Sequence, residues 1–314
     1  SYLTTTPGAN WDTWGVVLAG TISAGTGISI IGASNSTTAV ELRASSTLVT
    51  TLSTTNGNIV INGYATNTNF PTGVTAGPSA GIDVLNLITM TASNGSVNLT
   101  GVSGSISTNT AANGFQTRTN ASAPVTLNIS AKQVSITGTN LFPTASTGYG
   151  VYLLNSSITS TGGSFTSGQD AISISGTNGP GGALVLANAN TGSTSITNNS
   201  TGGIIRMIAN NGNFVDPVTV TSSSNSGAIY VSAIGSTAAV VSAAGTTFTQ
   251  NSNSGIYITS SNSGNVSPPK IINNGTGPVV IGAGVYLNAG DGTGGQITAV
   301  NTNTITSANG PVYL

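Results

Sequence analysis

The sequence predicts an all-β fold, a right-handed parallel β-helix (β-solenoid) of about eleven turns with about 27 residues in each turn. Three observations lead to this prediction: short apolar runs between turn residues, a strand motif that recurs along the chain, and a charged fraction of only 4%. Composition is nearly uniform along the 314 residues. We therefore expect a single continuous solenoid, residues 1–314, in which residues 1–25 form an N-terminal cap or junction.

The recurring motif is a small residue followed by an apolar, a variable and a second apolar residue. Late in the chain the variable residue is tyrosine, at Tyr230, Tyr257, Tyr286 and Tyr313, with a spacing of about 27 residues. The interval from Tyr152 to Tyr230 is close to three such periods. A period of this length is typical of solenoid repeats, in which each repeat stacks on the next.

Each period contains two or three short strands separated by Gly, Asn, Ser and Thr, as in Val134-Ser135-Ile136. Alternation turns the two apolar residues of each strand to one side and the middle residue to the other. A short strand with one apolar face has to stack on a neighbouring turn to bury that face. Ser, Thr and Asn at equivalent positions would form hydrogen-bonded ladders there, whereas stacked like charges would repel each other.

The composition excludes several kinds of site. The chain contains no Cys and no His, which excludes disulfides, thiolate nucleophiles and imidazole ligands or bases. A formal charge of −1 offers no basic surface for nucleic acid. No apolar run reaches the length of a membrane span; the segment 81–90 is interrupted by polar residues. A mean hydropathy of +0.21 with 37% hydrophobic residues argues against disorder.

The Gly-, Ser-, Thr- and Asn-rich repeats resemble those of filamentous-haemagglutinin-like exoproteins, as in Gly294-Gly295-Gln296-Ile297-Thr298-Ala299 and in Asn94-Gly95-Ser96-Val97-Asn98-Leu99-Thr100. Autotransporter passengers share this style. The resemblance covers most of the chain and implies a β-helical, secreted bacterial surface adhesin. The Asn-Pro-Asn-Gly-Ile-like motif of the family's secretion domain does not occur in this sequence.

The acidic residues do not form a catalytic pattern in the sequence. No two of them lie one period apart, and only Glu41 has a basic neighbour, Arg43. We interpret Asp216 and Asp291 as turn residues, because Asp216 precedes Pro217 and Asp291 lies between glycines. One carboxylate in the Gly-rich segment 290–295 is a poor calcium cage. We therefore predict a protein that is not an enzyme and has no cofactor or metal. The acidic residues are Asp12, Glu41, Asp83, Asp170, Asp216 and Asp291.

The tyrosine column has two interpretations. If the apolar residues point inward, the four tyrosines form an outward ladder along one face. The ladder is then either an adhesive stripe for glycans or for lateral association, or a stack of rings that stabilises the sheet.

The two ends of the chain are also strand-like, so we expect contacts there with other copies or with neighbouring repeats of a longer chain. Trp11 and Trp14 are expected to cap or staple the first turn. The candidate end-to-end contact residues are Tyr2, Leu3, Trp11, Trp14, Val312 and Leu314.

These features predict a secreted, extracellular rod at the cell surface with a structural or adhesive role. Its expected partners are copies of itself, neighbouring repeats, glycans or a host cell surface, without membrane insertion. Two alternatives remain: a β-helix lyase or hydrolase that acts on polysaccharides, and a phage-type fibre.

Overall fold

A computed structural model describes most of the chain, and its regular elements are all β-strands. No helix occurs among the described residues. The described residues are 2–3, 15–34, 38–44, 49–65, 80–104, 113–118, 127–141, 148–178, 182–187, 193–216, 218–235, 238–242, 245–261, 265–283 and 304–314.

The strands in chain order are β1 (Tyr2–Leu3), β2 (Val16–Leu18), β3 (Thr21–Ala24), β4 (Gly27–Ser34), β5 (Val40–Arg43), β6 (Thr50–Thr54), β7 (Asn58–Ala65), β8 (Ala80–Leu85), β9 (Ile88–Ser103), β10 (Asn113–Arg118), β11 (Leu127–Asn140), β12 (Tyr149–Leu154), β13 (Ser156–Ser160), β14 (Asp170–Thr177), β15 (Gly182–Ala187), β16 (Ser195–Asn198), β17 (Ile204–Asn210), β18 (Phe214–Asp216), β19 (Thr219–Ser222), β20 (Ile229–Ile234), β21 (Val240–Ser242), β22 (Thr247–Gln250), β23 (Ile256–Ser260), β24 (Val266–Ser267), β25 (Lys270–Asn273), β26 (Val279–Ala283), β27 (Ile305–Ser307) and β28 (Val312–Tyr313).

These strands stack in three columns, and every pairing between them is parallel. Column 1 contains β2, β5, β8, β10, β12, β15, β18, β21 and β24. Column 2 contains β3, β6, residues 88–92 of β9, residues 127–131 of β11, β13, β16, β19, β22, β25 and β27. Column 3 contains β1, β4, β7, residues 96–103 of β9, residues 133–140 of β11, β14, β17, β20, β23, β26 and β28. The predicted parallel β-helix is therefore confirmed.

The turns differ in length, in contrast to the predicted regular period. In column 3 the register pairs Asn98 with Ser135, across a long turn, but Tyr257 with Val280, across a much shorter one. The predicted spacing is found between Tyr230 and Tyr257. Only the strands have to match from turn to turn, so the connections between columns absorb the differences in length at little cost.

The core consists of apolar side chains from all three columns, in the predicted alternation. In β17 and β20, Ile205, Met207, Ile229 and Val231 are buried, while Tyr230 between the last two is partly exposed. Full burial of one such side chain contributes about 1.5–3 kcal/mol. Each turn therefore adds a layer of apolar side chains to one continuous core.

Two rows of glycine face each other where column 3 meets column 1. A Cβ at Gly101 would lie 2.0 Å from the carbonyl oxygen of Gly114, and a Cβ at Gly138 would lie 2.0 Å from that of Gly150. The two backbones approach so closely that no side chain fits between them. These rows were not predicted from the sequence. The glycines of column 3 at this position are Gly32, Gly63, Gly101, Gly138 and Gly176, and those facing them in column 1 include Gly81, Gly114 and Gly150.

Polar side chains bond to backbone inside the solenoid, and on its outside they form the predicted hydrogen-bonded pairs between successive turns. Asn198 and Asn273 are the last residues of the column 2 strands β16 and β25, and their side-chain amides point inward. They donate to the carbonyl oxygens of Gly203 and Gly277 at 2.6 and 2.7 Å. These bonds satisfy the backbone of the turn that follows each strand. On the outside, hydroxyl and amide pairs join successive turns: Ser232 with Thr259 at 3.1 Å and Asn251 with Asn274 at 2.8 Å.

Candidate functional site

Tyr230 and Tyr257 are direct partners in column 3. Their ring centroids lie 4.7 Å apart and the ring planes differ by 9°. The next position of the column is occupied by Val280, and Tyr313, 58% exposed, follows it. Val280 thus occupies the position that was predicted for Tyr286, because the turn from Tyr257 to Val280 is shorter than the predicted period and the turn from Val280 to Tyr313 is longer. Tyr286 itself lies outside the described residues.

A cation continues this column on the other side of Tyr230. Arg206 is the register partner of Tyr230, and its guanidinium carbon lies 5.2 Å from the centroid of the ring. The Nε of Arg206 donates to the carboxylate of Asp170 at 3.0 Å. Arg206 was not predicted to belong to this column. Position 206 is not a tyrosine, and the turn from Arg206 to Tyr230 is shorter than the predicted period. The name aromatic column is used below for the row Arg206, Tyr230, Tyr257, Val280 and Tyr313.

The geometry determines which parts of these rings a ligand can reach. One face of Tyr230 lies against Arg206 and the other lies against Tyr257. Only the edge and the hydroxyl of Tyr230 remain for outside contacts, whereas stacking on a sugar requires an open ring face. Burial, and then the charge of the neighbouring Tyr230, raise the pKa of Tyr257 above its usual value. The stack therefore favours the neutral form of Tyr257.

Tyr152 does not belong to the aromatic column, so the predicted interval of three periods between Tyr152 and Tyr230 is wrong. Tyr152 lies in column 1, where it pairs with Gln116 on one side and Val185 on the other. Its ring stacks on Tyr149 instead, with centroids 5.0 Å apart. Similar motifs of small and apolar residues serve different columns, so their spacing alone does not reveal which strands are partners.

Two buried carboxylates lie next to each other on column 1. Glu41 and Asp83 are register partners, and both side chains are buried. Arg118 binds both carboxylate oxygens of Asp83, and the Nε of Arg43 lies 2.5 Å from Glu41. The hydrogen bond to Asp83 raises the pKa of Arg118. The expectation that no two acids lie one turn apart is wrong, because the turn from Glu41 to Asp83 is much longer than the predicted period.

The charges of this group cancel, and neutral polar side chains extend it along the column. Gln116 is the register partner of Asp83 and accepts a hydrogen bond from the amide of Asn113. The Nε2 of Gln116 is buried without a hydrogen-bond partner. The backbone NH of Tyr149 donates to the Oδ1 of Asn113 at 2.8 Å. The arrangement ties successive turns together and leaves its carboxylates without access to solvent.

Asp216 was expected in a turn, but it is the last residue of strand β18 and is fully buried. Its carboxylate accepts hydrogen bonds from the hydroxyls of Thr246 at 2.7 Å and Ser242 at 3.3 Å. An inward carboxylate needs such donors, since an unsolvated charge is costly. Asp12 and Asp291 lie outside the described residues.

A groove of about 370 Å³ opens at the corner between columns 2 and 3. It contains one basic, one aromatic and several amide or hydroxyl side chains. It was not predicted from the sequence, because its residues come from four different turns. We call it the corner groove; it is lined by Asn58, Asn94, Gly95, Ser96, Lys132, Gln133, Gly163, Ser164 and Phe165.

Comparison of the chain with protein-family models, curated proteins and solved structures finds no match. The fold and the sites described above therefore carry the functional argument. Among the described residues, no group of three or more carboxylates is placed to hold a metal ion. The same part of the chain contains no helix that is long and apolar enough to cross a membrane.

The residues expected at the ends are only partly described. The backbones of Tyr2 and Leu3 pair with Ser29 and Ile30 in column 3. Val312 is 42% exposed and Leu314 is 76% exposed. Trp11 and Trp14 lie outside the described residues, as do residue 1 and the rest of 4–14 in the segment 1–25 that was expected to form a cap or junction.

Proposed function

We propose that this chain is a non-catalytic rod with a structural and adhesive role in an extracellular bacterial surface fibre or large adhesin. One observation carries the proposal: three columns of parallel strands stack around a single continuous core. Ten steps along column 3 at about 4.8 Å each give a body of about 48 Å. Such a body presents a long outer surface, which suits contact with a surface or with other rods.

The way in which the few charges are used supports a structural role. The three arginines Arg43, Arg118 and Arg206 each bind a carboxylate, and two of those carboxylates are buried. Asp216 is also buried and hydrogen-bonded to hydroxyls. These groups hold turns together, so few charged side chains remain for chemistry on a substrate.

A polysaccharide lyase or hydrolase of this fold would need a carboxylate and a base that face a substrate groove. Glu41 and Asp83 lie side by side but are buried against their own arginines, and the corner groove has no carboxylate in its lining. These observations favour adhesion over hydrolysis. Association with copies of the chain or with neighbouring repeats fits the same rod, and the exposed edges of the aromatic column offer a lateral contact.

The test combines imaging, adhesion and turnover with the purified chain. Beads coated with the chain are expected to stay on a glycan- or cell-coated surface under flow, and beads coated with the heat-unfolded chain are expected to wash off. Electron microscopy should show rods about 48 Å long or multiples of that length. Release of reducing ends or unsaturated products from a panel of polysaccharides would contradict the proposal, as would equal loss of both kinds of beads.

A further inference from the structure

The corner groove runs along the rod across four successive turns. Its walls come from Asn58 at the start of β7, from 94–96 in β9, from Lys132 and Gln133 in β11, and from 163–165 between β13 and β14. Three steps at about 4.8 Å give a length of about 14 Å. Its volume of about 370 Å³ lies within the range of small-ligand sites. Both dimensions suit a short oligosaccharide.

A register shift between β9 and β11 lies beside Lys132 in this groove. Ala131 pairs with Ala92 and Gln133 pairs with Ser96, so residues 93–95 of β9 bulge opposite the single residue Lys132. Its side chain is exposed, whereas Ala131 before it and Val134 after it are buried. The corner at which β11 passes from column 2 to column 3 therefore turns Lys132 outward, beside the bulged residues of β9.

Backbone hydrogen bonds hold the aromatic wall of the groove in place. The NH of Phe165 donates to the carbonyl of Thr201 on the next turn at 2.9 Å, and the NH of Thr201 donates to the carbonyl of Gly163 at 2.9 Å. A Cβ at Gly163 would lie 3.7 Å from the Cδ of Lys132 and 3.8 Å from the Cε2 of Phe165. Glycine thus leaves the space between the lysine stem and the ring open.

The lining lacks a charge that would neutralise Lys132. Among the described residues, the ion pairs all involve arginine, and no carboxylate lines the groove. Asp170 lies nearby, since its carbonyl accepts from the Nε2 of Gln133 at 2.8 Å, but its carboxylate binds Arg206. The lining of the groove therefore carries one positive charge and no negative charge, on a chain whose formal charge is −1.

The amides in the lining are oriented by hydrogen bonds that use only part of their capacity. The Oδ1 of Asn58 accepts from the backbone NH of Ser96 at 2.9 Å, and the Nδ2 of Asn94 donates to the Oδ1 of Asn56 at 3.1 Å. Each of these side chains retains a second polar atom for a ligand. Sugar hydroxyls act as both donors and acceptors, so fixed amides suit them.

From these features we propose that the corner groove binds an acidic saccharide of the uronic acid type. The sugar carboxylate pairs with the ammonium of Lys132, an apolar C–H face of the sugar lies on the ring of Phe165, and the hydroxyls bond to the amides of Asn58, Asn94 and Gln133. This assignment rests on the proposed adhesive function and supplies its ligand class. The groove, rather than the closely stacked rings of the aromatic column, is then the point of sugar contact.

The decisive experiment measures binding of trigalacturonic acid and of its neutral methyl ester to the full chain by isothermal titration calorimetry. The acid should bind, and the ester should bind about ten- to a hundredfold more weakly, since a charged hydrogen bond is lost. Lys132→Gln should weaken binding of the acid by a similar factor, and Phe165→Ala should weaken both ligands. Lys270→Gln is the matched control, because Lys270 is an exposed lysine on β25 outside the groove.

Equal affinity for acid and ester, no binding of the acid, or unchanged binding by Lys132→Gln would overturn the assignment. Far-ultraviolet circular dichroism of each variant identifies any loss of fold, and Lys132→Arg, which keeps the charge, should retain binding even if Lys132→Gln misfolds.

The bead assay distinguishes failure of the groove assignment from failure of the adhesive function. If wild-type beads adhere while trigalacturonic acid does not bind, the groove assignment fails and the adhesive function stands. If wild-type beads do not adhere, the adhesive function fails.

Discussion

The guanidinium of Arg206 lies 5.2 Å from the ring centroid of Tyr230, its register partner on the next turn of column 3. The same side chain donates to Asp170 on the preceding turn. Arg206 therefore links three turns through one ion pair and one cation–π contact. Because neither Asp170 nor Arg206 is fully buried, the desolvation cost that accompanies buried ion pairs is small here.

This contact predicts an energetic coupling between the two residues. In a double-mutant cycle of Arg206→Met and Tyr230→Leu, we expect a coupling energy of about 0.5–1 kcal/mol. Urea unfolding followed by circular dichroism measures it. The pair Lys270→Met and Tyr230→Leu is the control, because Lys270 lies in column 2 and is not a partner of Tyr230, and its coupling should be near zero. Equal values for the two cycles would contradict the prediction.

The stacked tyrosines predict a loss of stability at alkaline pH. Burial and the neighbouring Tyr230 raise the pKa of Tyr257 in the folded chain, so folding favours the protonated phenol. This stability is fully present below the usual tyrosine pKa of about 10 and is lost as the pH rises through the higher folded value. Absorbance at 295 nm should show late-titrating phenols, of which Tyr257→Phe removes one, since burial and then the neighbouring Tyr149 also raise the pKa of Tyr152.

A second variant tests the cause of that shift. Tyr230→Phe keeps the ring stack and removes one of the two phenols, so the pKa of Tyr257 should fall toward its usual value while remaining raised by burial. No change in the late titration would show that Tyr230 does not contribute. Tyr313→Phe, at a well-exposed position two steps away, is expected to leave the late titration unaffected.

The glycine rows predict that Gly101→Ala destabilises the rod. The added Cβ would lie 2.0 Å from the carbonyl oxygen of Gly114, and backbone on both sides would have to move. Overpacking of this kind costs about 1–3 kcal/mol. Gly25→Ala is the control, because no atom lies within 4 Å of its Cβ position. Equal urea midpoints for the two variants would contradict the close approach.

The carboxylates of column 1 predict that Arg118→Met is severely destabilising. It leaves Asp83, fully buried, without its cation, and removal of one partner of a buried pair costs about 3–5 kcal/mol. The double variant Asp83→Leu with Arg118→Met should recover most of that loss, since no charge is then left buried. Thermal unfolding compares them. A single variant as stable as the wild type would contradict the prediction.

The sequence was sufficient to predict the all-β class, the parallel stack and the inward side of strands such as β20 and β23, because the alternation at Ile229 and Val231 or Ile256 and Ile258 is a local property. The register was harder to predict. Column position depends on the lengths of the intervening connections, which vary freely, so Tyr152 was assigned to the wrong column and Val280 occupies the place expected for Tyr286.

The sites could not be predicted from the sequence for the same reason, the variable lengths of the connections. Glu41 and Asp83 become neighbours only across an unusually long turn, and Lys132 meets residues 94–96 only at a register shift in which β9 has three residues opposite one. Ser, Thr and Asn at many outward positions tolerate several registers, so they carry little information about which one is adopted. One usable signal was present: Gly recurs at a fixed distance after the first inward apolar residue of each early strand of column 3, as in Ile59 and Gly63, Val97 and Gly101, and Val134 and Gly138.

The glycine rows also limit how such a chain can be lengthened. Up to β14 the inner position of column 3 is glycine, but the following turns carry Ala209, Ala233 and Ser260 there. A turn duplicated from the first part brings one glycine to column 3 and one to the facing position of column 1. It therefore fits between turns that have the same pair of glycines. The same turn inserted after β17 would place glycine in line with Ala209 and Ala233, where the neighbouring turns carry a side chain. The rod therefore has two parts, one up to β14 with glycine at this position and one from β17 with alanine or serine there. Turns are interchangeable within each part but not between the two parts.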